Sequence, residues 1–216
     1  LEMTNLIAGP VAGKLLADLG ADVTKLEPPQ GDISRGLGRS YFVFLNNNKR
    51  SVCFDTRTSE GKEVVRKLAG QADVLLANLR PGATDRMGIG AEALEQLNPN
   101  IIETHVTGYG WTGPYAHRPG MDPVATAWMG LQLAQGGKAN RPVFLGQLAV
   151  SDFAAGAMGT LGNLMALFVR ERTGESQRVN TNLLSGGIIL SSEDFSRYDG
   201  KLPRRVADED LYGLGA

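Results

Sequence analysis

Two aspartates and a handful of cations carry the reactive potential of this 216-residue chain. Asp152 opens the run SDFAAGAMGTLGNLMALFV, in which Ala154, Ala155, Gly156, Ala157 and Gly159 give way to Leu161, Leu164, Met165, Leu167 and Phe168. Small and apolar residues all round predict a buried helix over 151–171 whose start makes a close backbone approach. On the residues alone a carboxylate there reads as the helix cap, a common duty of Asp, and a helix N-terminus keeps it ionised. Asp122, just ahead of Pro123, also reads as a helix cap. Lys49 and Arg50 in NNNKRSV and Arg86 in TDRMG have phosphate-binding chemistry, Arg through its bidentate fork; the plain alternatives are a solvated strand start and a surface ion pair. His105, His117 and the single Cys53 show no convergent spacing, so no metal site is expected.

A literal G-x-G-x-x-G, formed by Gly108, Gly110 and Gly113, follows an apolar run over 101–107. A dinucleotide fingerprint needs a helix to begin there and an acidic residue about 20 positions on. Pro114, Arg118, Pro119 and Gly120 continue an irregular loop instead, so the glycines are expected to shape a loop in which Tyr109 and Trp111 wall a pocket.

The elements that must position these groups alternate. Strands are expected over 23–26, 51–54, 74–77, 101–107 and 177–180, and helices over 10–19, 60–69, 91–97, 123–135, 151–171 and 182–198, which argues for βαβ units on a parallel sheet. Pro10 suits a first helical position, Gly20 a helix end, and Thr58 or Ser59 a cap. Lys and Arg total 22 against 23 Asp and Glu, so no bulk field favours nucleic acid or an anionic membrane. One cysteine, in the apolar run 51–54, reads as a buried reduced thiol in a reducing compartment, and the cytoplasm is the expected location. Only seven residues, Leu1 to Ile7, precede the first helical segment, so the strand expected before it is missing, and both ends read as cut from a longer polypeptide.

AGPVAGKLLADLGADVTKLEPPQGD, NNNKRSV, ADVLLANLRPGATDRMGIG, NPNIIETHVTGYG, GPYAHRPGMDPVA, SDFAAG and ALFVRERTGESQRVNTNLL occur here in that order. In this combination the chain resembles the family III (CaiB/BaiF) CoA-transferases, a family that also holds α-methylacyl-CoA racemases. The resemblance implies a Rossmann-like parallel sheet flanked by helices: a large CoA-binding domain over 1–199, then a linker over 200–216 towards a smaller domain that this chain lacks. It also implies an interlocked homodimer. By resemblance Asp152 is the nucleophile that forms an aspartyl anhydride and then an aspartyl-CoA thioester. The backbone at Ile7 and Ala8 meets the pantetheine arm, with Ile7 standing where the prototype transferase has glutamine. Lys49, Asn78, Leu79, Arg86 and Met87 line the CoA nucleotide and phosphates, and Asp122 is an acidic residue near the active site. Pro28 replaces an arginine that other members use on the nucleotide, for which Arg35 or Arg39 is the available substitute. Racemases place a histidine before the second aspartate; Met121 stands there in this chain and exchanges no proton. CoA and acyl-CoA are implied as substrates, with a carboxylic acid acceptor and no permanently bound cofactor. A racemase using another second base and a non-catalytic CoA-binding fragment are the alternatives.

Overall fold

The computed structural model describes residues 1–135, 141–144, 146 and 148–202. In chain order the elements are β1 Glu2–Met3, α1 Ala8–Asp18, β2 Val23–Glu27, a 3-10 turn Ile33–Leu37, α2 Arg39–Asn46, β3 Lys49–Cys53, α3 Ser59–Gly70, β4 Val74–Ala77, α4 Ala83–Arg86, α5 Ala91–Leu97, β5 Ile102–Thr107, α6 Asp122–Trp128, α7 Leu131–Ala134, α8 Val150–Thr173, β6 Arg178–Asn182, α9 Leu183–Leu190 and α10 Ser192–Phe195. The strands form one parallel sheet in the order β3-β2-β1-β4-β5-β6. The order reverses between β1 and β4, and in open α/β sheets ligands bind outside the carboxyl ends of the strands at such a switch point.

Strand alternation explains how both faces are covered. On β4, Leu75 faces a core with Val65, Ala69 and Leu94, while its neighbour Leu76 faces the opposite core with Ala8, Ala12, Val106 and Ala155. Truncating either leucine to alanine costs about 2–5 kcal/mol. The helix α8 packs by its small face, where Ala155, Gly156, Gly159, Asn163 and Ala166 are buried, against α1, β5 and β6. Gly156 permits the approach: a Cβ there would lie 2.6 Å from the Ala8 carbonyl oxygen and 2.8 Å from Val11 Cβ. Among the described residues α8 is also long and apolar enough, by length and composition, to cross a membrane. Its buried small face makes it a core helix of this fold.

Several expectations are corrected. The strand expected to be missing is present as β1, which occupies the middle of the sheet with two residues. The first helix begins at Ala8, so Pro10 stands in its first turn and not at its first position. Gly130, at φ +74°, divides the helix expected over 123–135 into α6 and α7, and Ser191 divides the one expected over 182–198 into α9 and α10. Cys53 is exposed, because β3 is an edge strand with only one neighbour. Thr58 does cap α3, accepting from the Gly61 N–H at 3.0 Å. Residues 203–216, most of the expected linker, lie outside the described residues.

Candidate active site

Three chain segments meet at the switch point. Asn78, just past β4, accepts from the Asn5 N–H at 2.9 Å and donates to the Asn5 carbonyl at 2.7 Å, which ties the β1–α1 loop to the end of β4. That loop ends at Ala8, the first residue of α1. The start of α8 arrives from the other side. A cavity of about 350 Å³ opens there, lined by Asn5, Ile7, Ala8, Asn78, Asp122 and Asp152 among others.

Asp152 is 8% exposed. It lies in the first turn of α8 and does not cap it, because the helix already starts at Val150 with Ala149 as N-cap. The cap comes from a different helix. Asp122 opens α6, but its Oδ1 accepts from the Ser151 N–H at 2.7 Å, from the Ser151 hydroxyl at 2.5 Å and, at 3.4 Å, from the Asp152 N–H. Asp122 therefore serves the orphan donors of α8, where the sequence pointed to α6. Its other oxygen, Oδ2, is buried without a hydrogen-bond partner among the described residues.

The electrostatics follow from this crowding. Burial first, and the Asp122 carboxylate second, push the Asp152 carboxyl up to about 7, while the backbone N–H of Ala8 works the other way by favouring the ionised form. Tyr41 of α2 has its phenol pKa raised by burial and then by the Asp152 and Asp122 carboxylates, which identifies it as a neighbour of the pair. Phe44 of the same helix packs on Phe153 with ring centroids 6.2 Å apart.

The other residues singled out from the sequence divide. Ile7, Ala8, Asn78, Asp122 and Asp152 come together on the cavity. Leu79 and Arg86 lie further along the β4 carboxyl end and α4, outside the cavity lining, and Met87 packs against the core beside Leu75 and Ile89. Arg86 is exposed and makes no ion pair with a described residue. Lys49 requires a correction. Its ammonium is buried under α1, paired with Glu2 at 2.9 Å and donating to the Pro10 carbonyl at 2.8 Å and to Asn46 at 3.1 Å, so it is not presented to a phosphate. Its pKa falls to about 8, chiefly through burial. Arg35 is likewise engaged, forked on Glu27 at 2.7 Å twice and stacked on Phe42, whereas Arg39 is exposed. Tyr109 and Trp111 do not wall the cavity. Trp111 covers His105 with centroids 3.8 Å apart, and His105 meets Glu103 at 2.6 Å inside the sheet. Gly108 does line the cavity, and it crosses Gly120 so closely that a Cβ would lie 2.4 Å from the Gly120 Cα. Among the described residues no group of three His, Cys, Asp or Glu side chains could hold a metal.

Sequence reading passed over Asn5, Leu6, Asp32 and Ser151. The only signals were an Asx-turn pattern at Asp32–Ser34 and a hydroxyl immediately before Asp152.

A six-stranded parallel sheet flanked by helices, with a buried carboxylate at its switch-point crevice, defines an α/β protein of Rossmann-like architecture. The chain belongs to CoA-transferase family III, whose family model matches residues 1–213. It is 36% identical to succinyl-CoA–D-citramalate CoA-transferase of Chloroflexus aurantiacus, over 98% of this chain and 57% of that protein. It is 41% identical to formyl-CoA:oxalate CoA-transferase of Streptomyces avermitilis, over 83% of this chain and 45% of that protein. The crystal structure of a CaiB/BaiF family protein from Brucella suis superposes with a TM-score of 0.88 at 35% identity, covering 95% of this chain and 57% of that one. The chain thus spans about half the length of the relatives it matches.

Proposed function

We propose that the chain supplies the reacting half of a CoA-transferase, which moves CoA from an acyl-CoA to a free carboxylic acid through Asp152. The observation that carries this reading is a single one: a buried carboxylate on a switch-point cavity, in the first turn of a long helix and facing the first N–H of another. An ionised Asp152 oxygen attacks the thioester carbonyl and the C–S bond breaks, giving an acyl-aspartyl anhydride and CoA thiolate. The thiolate attacks the aspartyl carbonyl, which releases the donor's carboxylate and leaves an aspartyl-CoA thioester. The acceptor carboxylate then displaces the thiolate to form a second anhydride. Attack of the thiolate on the acceptor's carbonyl gives the new acyl-CoA and restores Asp152. Each step exchanges one leaving group for one nucleophile, so no proton or redox partner is consumed.

In this reading the Ala8 N–H stabilises the aspartyl oxygen, Asn78 holds the loop that presents it, and Asp122 holds the first turn of α8. The backbone of Ile7 and Ala8 meets the pantetheine arm, Leu79 lines the nucleotide, and Arg86 with Arg39 meets the nucleotide phosphates by charge-assisted hydrogen bonds. The active assembly is a homodimer of the longer protein, and the reaction is placed in the cytoplasm on the grounds of composition. An Asp152 that titrates near neutrality also suits proton exchange at an α-carbon, but Met121 removes the second base, so racemisation is the lesser reading.

The test is incubation of the chain with succinyl-CoA, quenching, and mass analysis of the Asp152 peptide. An acyl or CoA adduct on Asp152, absent from Asp152→Ala, supports transfer. Wash-in of deuterium at the α-carbon of 2-methylacyl-CoA without any adduct favours racemisation.

A further inference from the structure

A group of four buried charges lies beneath the loop that carries Ala8. Lys25 is 1% exposed; its ammonium pairs with Asp32 Oδ2 at 2.8 Å and Glu2 Oε1 at 3.1 Å, and donates to the Thr4 carbonyl at 2.8 Å. Lys49 meets the second Glu2 oxygen at 2.9 Å. The charges balance. Burying them is still expensive, and apolar residues of equal volume would hold a sheet as well. What apolar residues would not provide is an acceptor for Leu6.

Leu6 has φ +65°, a left-handed conformation that is strained for a side-chain-bearing residue. Such a residue persists only where its surroundings over-determine it. Here Asp32 Oδ1 accepts the Leu6 N–H at 3.0 Å, along with the Ser34 N–H and hydroxyl at 2.8 Å each. Lys25 holds the Thr4 carbonyl and Asn78 holds both polar backbone atoms of Asn5. Two residues after Leu6, Ala8 opens α1; Leu6, Ile7 and Ala8 line the same cavity as Asp152, whose ionised form the Ala8 N–H favours.

We propose that Asp32 is a positioning residue for this site: by fixing the left-handed turn at Leu6 it aims the Ala8 N–H at the Asp152 carboxylate. The proposal rests on Asp152 being the reacting group, but its test needs no turnover. The groups facing Asp152 are Asp122 from α6, Tyr41 from α2 and the Ala8 N–H from α1. Asp32 is itself an anion, so deleting its charge alone lowers the Asp152 pKa, whereas losing the Ala8 N–H raises it. The sign separates the two roles.

The experiment is carboxyl NMR titration of Asp152 in ligand-free chain carrying labelled aspartate. Asp32→Asn keeps an acceptor oxygen and is expected to leave the Asp152 midpoint unchanged or lower. Asp32→Ala is expected to raise it by about half a unit to one unit. Because Asp32→Ala strands the Lys25 charge, the Lys25→Met/Asp32→Ala pair is measured beside it. A midpoint that does not rise in a folded alanine variant, or that rises as much in Asp32→Asn, overturns the proposal. Should neither alanine variant fold, hydrogen exchange of the Leu6 amide in the unaltered chain decides. Exchange at least about tenfold slower than an unstructured amide is expected, and exchange at the free rate rejects the assignment. Expected titrations with no adduct on Asp152 would overturn the transfer reaction and leave the positioning role standing.

Discussion

Burial and the Asp122 carboxylate push the Asp152 carboxyl up to about 7, which sets two expectations at the scale of single residues. Only the ionised form attacks a thioester, so transfer by the chain, or adduct formation on Asp152, should rise with pH through about 7 and level off above it. The same shift bears on stability. The folded chain binds this proton more tightly than the unfolded chain, where the group titrates near 3.8. Stability is therefore lost as pH rises from about 4 to 7, and the loss is complete above that range. Asp152→Asn should raise stability at pH 8 by on the order of 2–4 kcal/mol and give no advantage below pH 4, as read from urea midpoints at both. Asp122→Asn keeps an acceptor for Ser151 and should lower the Asp152 midpoint. Asp122→Ala also removes the α8 cap, which costs about 1 kcal/mol.

At the scale of elements, the site is made by the crossing of α1 and α8 at their N-terminal ends. Gly156 is the contact that allows it, with the Ala8 carbonyl where a Cβ would stand. Gly156→Ala should drive the two helix starts apart, cost about 1–3 kcal/mol, and weaken CoA binding through displaced Ala8. Gly159→Ala is the control: its nearest neighbours, side-chain methyls at 3.3 and 3.4 Å, are freer to yield. Calorimetric titration with CoA beside thermal melts of both variants checks this. Equal losses in the two would place the effect in general helix packing.

At the scale of the whole molecule, the proposed CoA path is longer than the cavity. The cavity is lined by Asp152, whereas the exposed Arg86 lies beyond it on α4. An extended ligand crossing the carboxyl edge of the sheet should lose about tenfold in affinity when Arg86 becomes alanine, with a weaker salt dependence. Lys49→Ala should instead lower stability, because it removes the cation on Glu2 Oε2 and leaves two buried carboxylates to share Lys25. The outward face of α8 leaves Leu161, Leu164, Met165 and Phe168 exposed. That apolar stripe fits the proposed homodimer, and sedimentation should show self-association that charged substitutions at Met165 and Phe168 abolish.

Much of the fold was legible in the chain order of apolar runs, because parallel strands buried on both faces and amphipathic helices have distinct periods. The strands β2, β4 and β5 and the helices α3, α5 and α8 fall where those periods place them. What eluded the pattern was short or depended on partners: two-residue β1 has no period, and the breaks at Gly130 and Ser191 interrupt otherwise helical runs. The site followed the same division. Asp152 stood out because a charged residue opened an apolar helix. The sequence by itself determined the α/β class, the nucleophile candidate and the family, since these rest on residue type and order along one chain. The tertiary structure alone decided that Asp122 caps α8 and not its own helix, that Lys49 is spent on Glu2, and that Asp32 reaches Leu6. Each is a hydrogen bond or ion pair between residues far apart in the chain, whose partners are chosen by packing and leave no periodic trace.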